Sequence, residues 1–125
     1  MASILSDPAF RAVVEEAPDA IVLVDRGGLI AYANARTEEL FGYDRAELLG
    51  QRVEVLVPSE LRSMHTIHRD IYQERPERRP MGTGLDLFGQ RKDGSVFPVE
   101  IGLSPAHDSD AFVTIAVVRD AMRTI

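Results

Sequence analysis

The sequence predicts an α+β domain in which an antiparallel sheet packs against helices. Three observations support this fold class: two short apolar runs flank a turn near the start, capped helices fill the middle, and apolar residues alternate strictly in the last third. The chain has 125 residues, which fits one domain with its own core. We therefore expect strands at both ends of the domain and helices between them.

The start of the chain predicts a short helix followed by a hairpin. Ser6-Asp7-Pro8 begins the helix, apolar residues follow at helical spacing, and Pro18 ends it. Strands over Ala20 to Val24 and over Leu29 to Tyr32 flank the turn cluster Asp25-Arg26-Gly27-Gly28.

Two short helices come next, since each has a capping residue at its start and a glycine at its end. Asn34 can cap a helix through Phe41, and Gly42 stands where a C-terminal glycine belongs. Asp44-Arg45-Ala46-Glu47 has the spacing of a capping box, and Gly50 closes that helix.

The longest helix is predicted in the middle of the chain. A single helical turn near Val53 to Val57 precedes it, Ser59 caps it, and it runs from about Glu60 to Gln73 before Pro76. Six of its residues fall within one stripe of 3.6-residue periodicity, which predicts the buried face: Leu61, Met64, His65, His68, Ile71 and Tyr72.

The last third predicts three strands. Gly84 to Arg91 forms the first, and Lys92-Asp93-Gly94-Ser95 contains the Asp-Gly pair favoured in a type I′ hairpin turn. Pro105 to Asp110 is predicted as a polar turn, and Ala111 to Val118 as a central strand. The strand between them has one buried face, shown by four alternating apolar residues: Phe97, Val99, Ile101 and Leu103.

Composition excludes several classes of function. The net charge of −6 and the pI of about 5.0 argue against a nucleic-acid or anionic-membrane surface. The chain has no cysteine, which excludes disulfides, thiolate metal sites and a catalytic thiol. No apolar run could span a bilayer and the N-terminus lacks a secretory signal pattern, so we expect a cytoplasmic protein. No paired acid and base and no metal-ligand cluster is visible, which predicts a protein that is not an enzyme.

Seven short segments, taken together and in this order, resemble those of a PAS domain from about Ala12 to Arg123. They are Glu16-Ala17-Pro18-Asp19-Ala20-Ile21, Tyr32-Ala33-Asn34, Leu40-Phe41-Gly42-Tyr43, Glu47-Leu48-Leu49-Gly50, Gly89-Gln90-Arg91-Lys92-Asp93-Gly94, Phe97-Pro98-Val99-Glu100 and Val118-Arg119-Asp120. The resemblance implies a five-stranded antiparallel sheet in the order 2-1-5-4-3, with helices on one face and an N-terminal flanking helix. Similar domains sense small molecules, redox state or light, or mediate dimers, and pass the signal to an attached effector.

The resemblance also divides the chain. Residues 1–17 would form the flanking helix, 18–121 the PAS domain, and 122–125 the start of a linker to an effector outside this sequence, which we expect to be a kinase or phosphatase. Many similar domains close with an Asp-Ile-Thr-like triplet. Here Asp120 is followed by Ala121 and Met122, so the usual coupling threonine is missing. We therefore expect the sensory module of a multidomain signal-transduction protein.

In a similar domain, the long helix and the inner face of the sheet would bound a ligand cavity. We expect it to bind a small apolar or amphipathic molecule, for example a fatty acid whose carboxylate meets His65 or His68 together with an arginine. The alternative for each apolar residue is that it only fills the core. The predicted pocket residues are Ile21, Leu23, Leu40, Leu56, Met64, His65, His68, Ile71, Leu87, Val99, Ile101, Ile115 and Val117.

His65 leaves a second ligand open. Counted back from the Arg91-Lys92-Asp93-Gly94 hairpin, it falls on the proximal histidine position of haem-binding, oxygen-sensing PAS domains, where an imidazole can ligate iron. Those sensors carry an arginine on the third strand, which Leu85 replaces here. The sequence therefore favours a small apolar or amphipathic ligand over haem. For His65 itself, the alternative is a helix histidine that only makes a local hydrogen bond. Flavin is disfavoured, because the cysteine of the light-sensing relatives is absent.

The first helix predicts a homodimer contact, because Phe10, Val13 and Val14 form an apolar stripe with no evident partner in the neighbouring sequence. The alternative is that this helix folds back on its own sheet. A domain that dimerises without any ligand is the remaining functional alternative.

Overall fold

The computed structural model describes residues 7–74, 76–79, 87–108 and 111–121. Four α-helices and five strands follow one another, with two 3₁₀ helices before the last α-helix. In chain order they are α1 (Pro8–Glu15), β1 (Ala20–Asp25), β2 (Ile30–Ala33), α2 (Ala35–Phe41), α3 (Arg45–Leu48), the first 3₁₀ helix (Val53–Leu56), the second 3₁₀ helix (Ser59–Leu61), α4 (Arg62–Glu74), β3 (Leu87–Gln90), β4 (Val96–Asp108) and β5 (Ala111–Asp120).

The strands form one antiparallel sheet in the order β2-β1-β5-β4-β3. The predicted α+β architecture and the implied strand order 2-1-5-4-3 are therefore confirmed. No helix within the described ranges is both long enough and apolar enough to traverse a bilayer. The predicted strand residues Gly84 to Asp86 and the predicted linker residues 122–125 lie outside the described part of the chain.

The capping signals of α1, α2 and α3 formed as predicted. Asp7 caps α1 by accepting a hydrogen bond from the Ala9 backbone N–H at 2.9 Å. Gly42 ends α2 in the left-handed conformation, with φ of +80°. The Glu47 carboxylate accepts a hydrogen bond from the Asp44 backbone N–H at 2.9 Å, which is half of a capping box. Each signal acts within a few residues, so the sequence alone specifies it.

The start of the long helix differs from the prediction, which placed a Ser59 cap before Glu60. Ser59 instead begins the second 3₁₀ helix, and α4 starts at Arg62. The reason is local hydrogen bonding: the Leu61 N–H donates to the Pro58 carbonyl at 2.8 Å, which closes a 3₁₀ turn. The Ser59 N–H donates to the Gln90 side chain at 2.9 Å and so ties this turn to β3.

The hairpin between β3 and β4 is not the predicted type I′ turn. Only Gly94 has a positive φ, of +90°, whereas a type I′ turn needs a second one at Asp93. The Asp93 carboxylate accepts hydrogen bonds from the Ser95 backbone N–H at 2.8 Å and from its hydroxyl at 2.6 Å. This local bonding favours a longer loop with a single left-handed glycine.

The end of β4 also differs, because the predicted turn from Pro105 is part of the strand, which continues to Asp108. The proline is tolerated for a geometric reason. Leu103 exchanges two backbone hydrogen bonds with Arg79 at the edge away from β5. Pro105 has the same orientation two residues later, so its missing N–H faces that edge rather than β5.

Apolar side chains pack on both faces of the sheet. The face covered by α2, α3 and the first 3₁₀ helix, here called the helix side, carries the larger core, which includes Val22, Leu48 and Phe97. The opposite face, here called the outer face, carries a smaller cluster in which Val14 of α1 meets Leu23. The central strand β1 therefore contributes apolar residues to both faces.

Candidate functional site

A buried carboxylate lies at the junction of the first 3₁₀ helix and α4. The Glu54 side chain is only 6% exposed. Arg69 donates to it from two nitrogens, Nε to Oε2 at 3.0 Å and Nη2 to Oε1 at 3.1 Å. His65 Nδ1 lies 2.6 Å from Glu54 Oε2. These three residues, here called the Glu54 cluster, join α4 to the preceding segment.

The helical period explains why α4 meets the rest of the protein with polar side chains. His65 and Arg69 are four residues apart and therefore share one face of the helix. Arg62 lies one turn earlier on that face and donates from Nε to the Val57 carbonyl at 2.9 Å. Charge-assisted hydrogen bonds therefore attach α4 to the segment that precedes it.

The charges of the Glu54 cluster are balanced within it. Burial alone would raise the pKa of the Glu54 carboxyl, because a charged group is poorly solvated inside a protein. The hydrogen bonds and positive charge of Arg69, with the contact to His65, outweigh burial and hold that pKa below the ordinary glutamate value. Glu54 is therefore ionised at neutral pH, and the buried guanidinium of Arg69 lies directly against it.

Arg69 also packs against the turn that joins β1 to β2. Gly28 is buried there with φ of +84°, a conformation that favours glycine. A Cβ added at Gly28 would lie only 2.0 Å from Nη1 of Arg69. The absence of a side chain at this position therefore gives the guanidinium its space.

The structure corrects the predicted buried face of α4. Met64 is 59% exposed, Leu61 is 45% exposed and His68 is exposed, so the predicted pocket residues Met64 and His68 point to solvent. His65 and Tyr72 do lie on the inward face. The pairing of Arg69 with the buried Glu54 carboxylate fixes the rotation of the helix. The spacing of apolar residues could not predict this rotation, because the pairing is polar. The side chain of Ile71 lies outside the described part of the chain.

Five of the predicted pocket residues come together on the helix side. The buried members are Leu40, Leu56 and Val99, and the half-buried Leu87 and Ile101 pack against the same core. They come from α2, the first 3₁₀ helix and strands β3 and β4. The structure thus groups these five residues around the inner face of the sheet.

Four other predicted pocket residues are corrected, because they lie on the outer face. Strand alternation puts Ala20, Val22 and Val24 on the helix side, so the residues between them point the other way. Leu23 pairs with Ile115 across the ladder, and both belong to the outer-face cluster with Ile21. Val117 pairs with Ile21 and shares that face. These residues cannot line one cavity with those of the helix side.

Comparison with known protein families accounts for this architecture. The family model described as the PAS fold matches residues 9–121. The chain belongs to the PAS family. The resemblance inferred from the sequence is therefore confirmed.

The relatives of this PAS domain are longer proteins. It is 29% identical over 110 residues to the sensor protein FixL of Bradyrhizobium diazoefficiens, and 28% identical over 116 residues to the oxygen sensor protein DosP of Escherichia coli. These matches cover 88% and 93% of this chain but only 22% and 14% of the two relatives. Among solved structures, the PAS domain of an HTR-like protein from Haloarcula marismortui has a TM-score of 0.73 at 25% identity, covering 90% of this chain and 88% of that one.

The flanking helix α1 folds back on its own PAS domain. Val14 is buried against Leu23 and Tyr32, and Phe10 packs at the edge of this cluster. Val13, the third residue of the predicted dimer stripe, is 71% exposed. The apolar side of α1 is therefore largely occupied within one protomer, which is the alternative that the sequence left open.

A polar network fixes α1 to the PAS domain at its C-terminal end. The Glu15 carboxylate accepts hydrogen bonds from the Tyr32 hydroxyl and from Arg45 Nη2, the latter at 2.8 Å. Burial would raise the pKa of Glu15, but these two hydrogen bonds and the positive charge of Arg45 lower it. Asn34 donates from Nδ2 to the Val14 carbonyl at 2.8 Å. The position of α1 is thus tied to β2 and to the helices that follow it.

Sequence reasoning missed the most constrained polar residues. Glu54 carried a usable signal, because it is a lone charge inside the apolar stretch Val53 to Val57. Arg69 carried none, since an arginine on a long helix is normally exposed. Thr114 also lies inside an apolar run, that of β5, and it is buried on the helix side.

Proposed function

We propose that this PAS domain is the sensory module of a multidomain signalling protein and binds a small apolar or amphipathic molecule between α4 and the helix side of the sheet. Binding would shift the population of two packing states of α4. The module would have no catalytic activity of its own. A fused effector, a kinase or a phosphatase, would receive the change.

One observation carries this proposal: the apolar core of the helix side does not include α4. Among the α4 side chains that the structure describes, none belongs to that core. The described part of the helix is attached through the Glu54 cluster, through Arg62 and by the burial of Tyr72 outside that core. An apolar guest beneath α4 would therefore not have to displace a described α4 side chain from that core.

Non-denaturing mass spectrometry of the purified chain, followed by solvent extraction, tests the proposal. We expect a bound small molecule that Ile101→Phe on the helix side displaces. Val117→Phe is the matched control, because Val117 is equally half-buried on the neighbouring strand but lies on the outer face. A chain without any bound molecule, or a molecule displaced only by Val117→Phe, would contradict binding on the helix side.

The effector is supported by the lengths of the relatives. FixL is named a sensor protein, and this chain matches only 22% of it. DosP is named an oxygen sensor protein, and the match covers 14% of it. In both cases a PAS-sized segment occupies a small part of a larger sensor. We infer the same arrangement for the protein to which this chain belongs.

Haem is the second candidate ligand, and the geometry of His65 supports it. A metal-ligating histidine normally gives its other ring nitrogen to a carboxylate or carbonyl. His65 Nδ1 is held by Glu54, which leaves Nε2 as the nitrogen that could bind iron. When bound, haem would supply an iron centre for gas binding. His65 would therefore be the residue of this chain that holds haem, through its Nε2 atom.

An absorption spectrum after haem reconstitution tests this alternative. A Soret band lost in His65→Ala but kept in His68→Ala would support it, since His68 is exposed on the same helix. A colourless protein after reconstitution would reject haem and leave the apolar ligand as the proposal.

Dimerisation is the third candidate, and exposed apolar side chains favour it. Val13 of α1 is 71% exposed, and Val96 and Phe88 on the outer face are 53% and 43% exposed. Sedimentation at increasing concentration would show a homodimer, and Val13→Glu would weaken it if α1 contributes. A constant monomer mass would refute this role.

A further inference from the structure

Two buried hydroxyl groups have no hydrogen-bond partner in the part of the chain that the structure describes. They belong to Tyr72 of α4 and Thr114 of β5. The two residues are 5% and 6% exposed. Buried polar groups in folded proteins are normally bonded to protein, water or a ligand. Neither residue is among the predicted pocket residues. Both hydroxyl groups therefore need a hydrogen-bond partner that the described residues do not supply.

Both hydroxyl-bearing residues lie near one end of the sheet. Thr114 pairs with Val24 and points to the helix side, as Val24 does. The turn just after Val24 holds Gly28, against which Arg69 packs. Tyr72 follows Arg69 by three residues and therefore lies one turn further along the same face of α4. Both residues are thus linked to the β1–β2 turn, Thr114 through its pairing with Val24 and Tyr72 through its helical neighbour Arg69.

The segment after α4 covers this region. The guanidinium of Arg79 lies over the Tyr72 ring, 5.2 Å from its centroid. The Arg79 backbone pairs with Leu103, whose β5 partner Ala116 is two residues from Thr114. Arg79 therefore lies between the Tyr72 ring and the edge of β4, the strand that pairs with β5.

The charges around these hydroxyls select the kind of ligand. The Arg69 guanidinium and the His65 ring face the Glu54 carboxylate. Arg79 is exposed to solvent. Burial raises the pKa of the Tyr72 hydroxyl, so this group stays neutral at pH 7. A carboxylate placed here would lose its hydration without gaining a buried cation of its own, which is costly.

We propose that the Tyr72 and Thr114 hydroxyls bind the uncharged polar end of an amphipathic ligand, such as the oxygen of an alcohol, ketone or ester, and that the site rejects carboxylates. This inference rests on the proposed function, since it assumes that an apolar body occupies the helix side. It replaces the fatty acid expected from the sequence with a neutral molecule of similar shape. Each hydroxyl can donate to or accept from a polar group of the ligand.

Calorimetric titration with two matched series tests this assignment: straight-chain alcohols from hexanol to dodecanol, and the carboxylates of the same chain lengths. We expect the best alcohol to bind at least about tenfold more tightly than the best carboxylate. Tyr72→Phe and Thr114→Val should each weaken alcohol binding by about tenfold, as expected for one lost hydrogen bond. Thr66→Val is the control, because the Thr66 hydroxyl already donates to the Arg62 carbonyl at 3.0 Å.

Thermal unfolding of the ligand-free variants adds an independent measurement. Because the two hydroxyls have no described partner, Tyr72→Phe and Thr114→Val should leave the midpoint unchanged or raise it. A lowered midpoint in both would show that the hydroxyls already have protein partners and would overturn the assignment.

The outcomes separate this inference from the proposed function. Carboxylates that bind as tightly as alcohols, or alcohol affinities that neither variant changes, would overturn the neutral-ligand assignment while leaving a ligand site on the helix side. If neither series binds, the neutral-ligand assignment fails, and mass spectrometry of the purified chain decides the proposed function separately. A crystal structure grown in saturating alcohol that shows only water on both hydroxyls would also overturn the assignment.

Discussion

Replacing Glu54 by glutamine gives the sharpest test of how α4 is held. The Glu54 and Arg69 side chains are 6% and 10% exposed and share two hydrogen bonds. Glutamine keeps the size of the side chain but removes the negative charge that Glu54 places against the buried guanidinium. Breaking a buried ion pair from one side typically costs about 3–5 kcal/mol of unfolding free energy. We expect a loss in that range for Glu54→Gln.

Urea unfolding followed by far-UV circular dichroism measures this loss, because the chain has no tryptophan for a fluorescence signal. Glu60→Gln is the control, since Glu60 is an exposed glutamate in the second 3₁₀ helix. Its replacement should change stability by less than about 0.5 kcal/mol. If Glu54→Gln cost no more than Glu60→Gln, the Glu54 cluster would not be what attaches α4.

A double substitution separates the charge from the packing. Glu54→Leu with Arg69→Met removes both charges and keeps apolar volume, so it should recover most of the stability lost in Glu54→Leu alone. A double variant as unstable as the sum of the two single variants would show that the residues act independently.

Three further predictions follow from the same contacts. The unfolding free energy should decrease as the pH falls below about 4.3, the ordinary pKa of glutamate, because the pKa of Glu54 is lowered in the folded state. Glu54→Gln should make the unfolding free energy depend less on pH in this range. Gly28→Ala should cost about 1–3 kcal/mol more than Gly50→Ala in urea unfolding, since both have positive φ but only Gly28 contacts Arg69; equal losses would refute the contact. Asn34→Ala should lower stability by about 3 kcal/mol or more, because its buried amide makes five hydrogen bonds, and a loss below about 1 kcal/mol by calorimetry would contradict this.

The elements that could be predicted from the sequence are those specified by neighbouring residues. Asn34 and Gly42 bound α2, and Asp7 with Pro8 starts α1, because caps act over one turn. The alternation from Phe97 to Leu103 marks the buried face of β4 for the same reason. Local rules of this kind determine most element boundaries, and the order of the strands came from the family resemblance.

The faces of β1 and α4 could not be predicted, because each depends on a partner far along the chain. The run Ala20 to Val24 is apolar at every position, since α1 covers one side of it and the helix-side core the other. Nothing within the run says which residues face which layer. For α4, the deciding partner is Glu54, whose burial is itself a result of the ion pair. The burial of Glu54 and that of Arg69 each depend on the other residue, so neither leaves a pattern in the sequence around it.

The helices α1 and α4 are attached to the domain in different ways, and this difference bears on signalling. The α1 helix has an apolar anchor in Val14 as well as the polar contacts of Glu15. The α4 helix, in its described side chains, has the polar contacts of the Glu54 cluster and of Arg62, together with the buried ring of Tyr72 outside the helix-side core. A buried ion pair adds little net stability over an apolar packing of equal volume, yet it is costly to break from one side. The cluster therefore fixes the rotation of α4 and adds little net stability. A guest beneath α4 would compete with few apolar contacts of the helix, while the charged contacts keep its rotation unchanged.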